Sequence, residues 1–239
     1  MGWYNHDHPP ENLARNGLFR FVFLFRKLFL TRRKRFYYGQ EGEDIALRRI
    51  FEKQKKGFFV DVGCFHPVKY NNTYFLYKKG WRGINIDIDK IKIQGFNWVR
   101  RQDTNIACAV SAKKGTTDYW SKGFYSLINT LDEEVANQRK GYRKTTIQTD
   151  TLTHIIDGTK YKNTAIDLLC VDAEGHDLVV LESLDFNRYQ PKIIVVESYV
   201  TEMEDIKNLP IYQFLEQKNY VLINWVGLSL FFKRKELKI

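Results

Sequence analysis

The sequence predicts an α/β domain: a mostly parallel sheet with helices on both faces, closed by an antiparallel hairpin at its C-terminal end. Three observations predict it. First, short runs that are apolar almost throughout recur along the chain: GFFVDVG (57–63), GINIDI (83–88), NIACAVS (105–111), IDLLCVDAEG (166–175) and KIIVVES (192–198). A strand with one wet face would alternate, so continuous runs mark strands covered on both sides. Second, helix-compatible segments separate these runs, which is the order of a parallel sheet. Third, YVLINWV (220–226) and LSLFFK (228–233) flank Gly227, the pattern of a closing hairpin.

In chain order, the first element is a basic arm, residues 1–36, ahead of a domain at 37–239. The arm holds eight Arg or Lys against Asp7 and Glu11, whereas the whole chain carries +10. The basicity thus belongs mostly to the arm, and a specific nucleic-acid footprint over the whole protein is not expected. Within LFRFVFLFRKLFL (18–30), Leu18, Phe21, Val22, Phe25, Leu28 and Phe29 share one helical face, and RRKR follows. The run is too short and too charged to span a bilayer. Its rings and cations suit an anionic membrane surface through residues 18–35. A helix docked on protein would bury the same stripe, so both readings stay open. His6 and His8 have the spacing of a metal-binding pair, which in a polar terminus is usually solvated.

In the domain, GFFVDVG is the first strand, Tyr74 to Lys79 a short helix stopped by Gly80, GINIDI the second strand and NIACAVS the third. TTDYW (116–120) extends a strand or an edge ribbon, and the polar stretch from Ser121 to Gln148 reads as a loop over the site. Thr151 to Ile156 suits a helix. The fourth strand, IDLLCVDAEG, runs into a helix from His176 to Leu184. KIIVVES is the fifth strand, and Ile206 to Lys218 the last helix. With 44% apolar residues and 15% aromatic, the chain can bury a sizeable core. Cys64, Cys108 and Cys170 are well separated and lie in or beside apolar runs, as buried reduced thiols would. That implies a cytoplasmic setting, with the arm peripheral at the inner membrane face.

In a parallel sheet, ligands bind at the carboxyl ends of the strands. Those ends carry Asp61-Val62-Gly63, Asp87-Ile88-Asp89, Asp172-Ala173-Glu174-Gly175 and Glu197. Gly63 is expected where backbone must approach a ligand closely. Asp87, at the end of the second strand, is placed to accept hydrogen bonds from a ribose diol. A dinucleotide site would need G-x-G-x-x-G, but Phe65 and Pro67 occupy the later turn and the acids would repel a diphosphate. Acids attract a sulfonium and an amino-acid tail, so the pattern points to S-adenosylmethionine.

YGQEGEDIALRRIF (38–51), FVDVGCFHPVKYNNTYFLYKKGWRGINID (59–87), IDLLCVDAEGHDLVVLESLDF (166–186) and PKIIVVES (191–198) resemble the FkbM family of S-adenosylmethionine-dependent methyltransferases. Asn72-Thr73 and Gly80-Trp81 are among the more specific marks, and the basic arm lies outside the resemblance. It implies a class I methyltransferase (Rossmann-like) fold, with a seven-stranded sheet and one reversed strand. It also implies O-methyl transfer, commonly to a sugar or another natural-product scaffold. Asp61 and Gly63 would then line the methionine moiety, Asp87 the ribose, and Cys108 to Val110, including Ala109, the adenine. Gln40 and Asn72 would lie close to the cofactor. One departure is Cys64 with bulky Phe65 after the motif glycine, where the family commonly has a small residue.

Transfer to a hydroxyl needs alignment and a proton acceptor. Asp172, Glu174 and His176 are the candidate catalytic residues, with strand alternation expected to put Asp172 and Glu174 on one side. His66, in the loop beside the cofactor turn, is a further candidate base. Asp172 and Glu197 with a third ligand could hold magnesium, though nothing in the spacing requires a metal. Acceptor contacts are expected from Trp120, Phe124, Tyr125 and Tyr142. The alternatives are an NAD(P)-dependent oxidoreductase, disfavoured by the missing glycines, and a catalytically silent binding protein, disfavoured by the retained acids.

Overall fold

A computed structural model of the chain describes residues 37–121 and 141–238, together with positions 17, 18, 21, 22, 134, 137 and 138. The chain divides into two compact units, 1–36 and 37–239. In the first, Gly17, Leu18, Phe21 and Val22 are helical. His6, His8, the RRKR run, Phe124 and Tyr125 lie outside the described residues. No described helix is long and apolar enough to cross a membrane.

The second unit is built on a seven-stranded sheet of order β3-β2-β1-β7-β8-β10-β9. Its parallel strands are β1 (Phe58–Val62), β2 (Arg82–Asp87), β3 (Thr104–Ala107), β7 (Leu168–Val171) and β8 (Ile193–Glu197). β10 (Ser229–Arg234) runs antiparallel to both β8 and β9 (Tyr220–Val226), so it is the reversed strand. From central β1 the chain moves outward to β2 and β3, then crosses to β7 on the other side. That reversal is the topological switch point where open α/β sheets bind ligands.

β1 is buried at all five positions, and its side chains alternate between two cores. Phe58, Val60 and Val62 pack with α4 (Leu152–Asp157), α5 (Asp177–Glu182) and α6 (Pro210–Gln217) through Leu152, Ile156, Val180, Leu181 and Leu215. Phe59 faces α1 (Glu43–Ile50) and α2 (Tyr74–Lys78) through Leu47, Phe75 and Leu76. Each such fully buried side chain contributes roughly 1.5–3 kcal/mol of transfer free energy.

The chain departs from the expectations in five places. α1 was not anticipated; its Glu43 and Asp44 in the first turn and Arg48 and Arg49 in the last complement the helix dipole. α3 (Lys90–Val99) was not anticipated either; Asp89 starts it, Oδ1 accepting from Ile91 N at 2.8 Å. The third apolar run divides, β3 staying in the main sheet while β4 (Ala109–Val110) joins a second sheet of order β4-β6-β5. The expected loop from Ser121 to Gln148 is overturned at its C-terminal end: β6 (Arg143–Asp150) pairs antiparallel with β5 (Gly115–Ser121) over its length. Alternation along β6 is weak because most of its side chains face water, which hid it. The last helix splits at Leu209–Pro210, because proline starts a helix well and continues one badly: a 3₁₀ turn (Met203–Asn208) precedes α6.

Candidate active site

The strand registers bring the acidic ends into one row. Val62 pairs with Ile86 and with Val171, and Val171 pairs with Val196. The next residues along each strand are Gly63, Asp87, Asp172 and Glu197, which therefore stand side by side on one rim. They line a cavity of about 490 Å³ across the switch point, together with Gln40, Ala109, Val110, Glu174 and His176.

Gly63 adopts φ +76, and a Cβ there would overlap the carbonyl oxygen of Asp172. A close approach that requires glycine is thus between the β1 and β7 turns themselves, and Gly63 lines the cavity as well. Gly63 N and Cys64 N both donate to Ile86 O, at 2.9 and 3.2 Å. Among the described residues, three non-glycine residues other than Asn have positive φ: Phe65, Tyr70 and Glu174, at 53°, 50° and 52°. All three line the cavity. Strained backbone persists only where its surroundings over-determine it, and it collects at functional sites.

Asp87 is buried. Its Oδ2 accepts from Phe65 N at 3.0 Å and its Oδ1 from Asp89 N at 2.8 Å. Each oxygen keeps a further lone pair for a diol. Burial pushes its carboxyl up, while Lys92, with Nζ 3.8 Å from Oδ2, and the two backbone donors pull it back. Lys92 is itself buried, and its ammonium lies 4.8 Å from the Phe65 ring centroid. Bulky Phe65 therefore does line the cavity, on the wall next to Asp87.

Asp172 and Glu174 lie beyond the last residue of β7, in the turn to α5, so strand alternation does not orient them. Asp177 shapes that turn, accepting from Ala173 N at 2.8 Å and Gly175 N at 3.1 Å. Asp172 is open to the cavity yet closely surrounded by protein. Burial and the neighbouring Glu197 carboxylate hold its carboxyl well above the usual range, and burial raises Glu197 as well. The two are in side-chain hydrogen-bond contact, so the pair resists carrying two charges at once. Burial, then the Glu197 charge, lift Glu174 to about 7. His176, just ahead of α5, also faces the cavity and makes no cap bond with its side chain. His66 does not line it; its Nδ1 accepts from Val68 N and Lys69 N, both at 3.0 Å, which holds the loop after β1. Among the described residues, no three His, Cys, Asp or Glu side chains are arranged to hold a metal ion.

Asp61 and Asn72 line a narrower recess that shares Gly63, Asp172 and Glu197 with the cavity. Asp61 Oδ2 accepts from Thr73 Oγ1 at 2.7 Å and from Asn71 Nδ2 at 3.3 Å. Beneath them lies the fully buried Arg100, whose Nη1 donates to Thr73 Oγ1 at 2.9 Å and Asn71 Oδ1 at 3.0 Å. Its Nε reaches Asp103 at 2.9 Å. Burial raises the Asp61 carboxyl and Arg100 opposes that rise. Sequence reasoning missed Arg100 and Lys92. Lys92 had a findable signal in the helix-starting Asp89; Arg100 had none, because only the fold folds it under the loop.

The site fits S-adenosylmethionine. Glu197 Oε2 and Asn72 Oδ1 are buried without hydrogen-bond partners, as acceptors awaiting a cationic or amino group would be. Ile86, Ile88, Ala109, Val110 and Val180 form an apolar wall, and Asp87 presents its carboxylate beside it. Such a sheet, with its reversed strand and this rim, is that of a class I methyltransferase. The family model described as "Methyltransferase FkbM domain" matches residues 61–222. The chain belongs to the FkbM methyltransferase family and is an S-adenosylmethionine-dependent methyltransferase.

No curated protein matches the sequence significantly. A TehB-like S-adenosylmethionine-dependent methyltransferase from Corynebacterium glutamicum is similar in structure, with TM-score 0.43 and 13% identity over 90% of this chain and 97% of that one. A proposed RNA methyltransferase from Pyrococcus horikoshii is similar at TM-score 0.42 and 10% identity, over 80% and 82% of the two chains.

Proposed function

We propose that the protein methylates a hydroxyl, on a sugar or glycan-type acceptor, with Glu174 as the base. The observation that carries this reading is a carboxyl poised near 7 that opens onto the cavity beside the paired Asp172 and Glu197. A base with that affinity is half ionised at neutral pH, which is where proton abstraction is most effective.

S-adenosylmethionine, when bound, supplies a methyl carbon activated by a sulfonium. Asp87 would hold the ribose diol, Ala109 and Val110 the adenine, and Asn72 and Glu197 the amino-acid end. Asp172 and Glu197 would ionise more readily as positive charge arrives. Glu174 takes the proton of the acceptor hydroxyl as its oxygen advances on the methyl carbon. His176 is placed to orient that hydroxyl. The FkbM resemblance favours a saccharide acceptor. The test is incubation of the purified protein with S-adenosylmethionine and a panel of methyl glycosides, reading S-adenosylhomocysteine and methylated sugar by mass spectrometry. Methylation at nitrogen or carbon only would remove the reading. Native mass spectrometry of the fresh protein is expected to show the cofactor or its demethylated product; a bound dinucleotide would favour an oxidoreductase instead.

A further inference from the structure

The acceptor contacts expected from sequence were Trp120 and rings of the stretch 121–148, but the described cavity carries an aromatic face elsewhere, and neither Trp120 nor Tyr142 lines it. Tyr199 follows β8 by two residues and lines the cavity with Glu174 and Glu197. The residue is 68% exposed, so its ring is open to a ligand in the cavity. Its backbone is firmly held: Ser198 and Val200 on either side are buried, and Ser198 N donates to Leu228 O at 2.8 Å. An exposed ring on an anchored backbone is a preorganised platform, since little freedom is lost when a ligand stacks on it.

Charge narrows what could stack there. Although the chain is net +10, Glu41, Asp87, Asp172, Glu174 and Glu197 all face this cavity, against Lys92, whose ammonium lies 3.8 Å from Asp87. An acceptor with a phosphate or carboxylate near its reacting hydroxyl would add its charge to this acid-rich, partly desolvated space and raise the cost of ionising every carboxyl in it, Glu174 included. We infer that Tyr199 is the platform for the acceptor ring, and that the acceptor is an uncharged or amino sugar rather than an acidic one. This rests on the sugar O-methylation proposed above and names the class within it. The apolar C–H face of the ring lies on the phenol, and its hydroxyl edge turns to Glu174. Burial, then the Glu197 and Glu174 carboxylates, push the phenol up to about 12, so the ring stays uncharged.

The probes are methyl glucoside, methyl mannoside, the methyl glycoside of glucosamine and methyl glucuronoside, with wild type, Tyr199→Phe and Tyr199→Ala. S-adenosylhomocysteine affinity by calorimetry checks each variant's fold and cofactor site, and is expected to be unchanged. Tyr199→Ala should raise the KM for a neutral glycoside about tenfold, the scale of one aromatic contact. Tyr199→Phe should stay near wild type, and the glucuronoside should be the poorest substrate. A neutral glycoside turned over with the same KM by Tyr199→Ala overturns the platform while leaving sugar methylation standing. A glucuronoside used as well as the glucoside overturns the charge argument. If no glycoside is methylated or seen to bind by saturation-transfer NMR while the cofactor product still binds, the acceptor class falls and this inference with it.

Discussion

Replacing Glu174 by Gln tests the chemistry most directly, because it removes the base and keeps its shape. Burial and the Glu197 charge place the Glu174 carboxyl at about 7, with Lys92 opposing them. If ionised Glu174 is the base, roughly a tenth of the enzyme is competent at pH 6 and about nine-tenths at pH 8. kcat/KM with a methyl glycoside should therefore climb close to tenfold per pH unit on the acid side and level off above neutrality. Glu174→Gln should lower the plateau by about 10²–10⁴ and flatten that limb. The protein's stability offers an independent reading of the same group. A carboxyl raised from an ordinary 4.5 to about 7 favours the folded state while protonated. That contribution is complete below 4.5 and is lost as pH rises through 7. Thermal scans across this window should show a decline in wild type that is shallower in Glu174→Gln. An acid limb that survives in the variant at full rate refutes the assignment. Loss of S-adenosylhomocysteine affinity with the limb intact moves Glu174 to the cofactor's amino group.

Asp87→Ala should weaken S-adenosylhomocysteine binding by about tenfold or more, as charge-assisted bonds of roughly 1.5–3 kcal/mol are lost; unchanged affinity by calorimetry would displace the ribose from this position. Gly63→Ala should destabilise the fold by more than the roughly 1–2 kcal/mol of a left-handed alanine, because its methyl group collides with the Asp172 carbonyl. Urea unfolding measures this, and a variant as stable as wild type would show that the two turns are not tightly apposed. The basic, aromatic arm at 18–35 is expected to carry the protein to an anionic membrane face, so sedimentation with anionic liposomes should exceed that with neutral ones. Equal recovery with both would leave docking on protein as its role.

Legibility differed by the range of the interactions involved. The strands of the main sheet could be read because burial on both faces leaves continuous apolar runs, as in β1 and β8. The acidic rim was legible too, since Gly63, Asp87, Asp172 and Glu197 each end such a run, and parallel pairing needs only register to align them. β6 was not legible, because a solvent-facing strand owes its state to its partner β5 rather than to its own pattern. The division of NIACAVS was hidden for a similar reason: nothing local says that Ala107 belongs to one sheet and Ala109 to another.

What the sequence by itself determined is the class: the order of buried strands, the reversed hairpin and the acids at strand ends, all of them set by local periodicity and chain order. What only the tertiary structure decided is which groups meet. Asp172 and Glu197 are neighbours by register, Arg100 lies beneath Asn71 and Thr73 by folding, and Tyr199 presents its ring beside Glu174 through the anchoring of its neighbours. Proton affinity and recognition depend on distance and burial, and these come into being only when residues far apart in the chain are packed together.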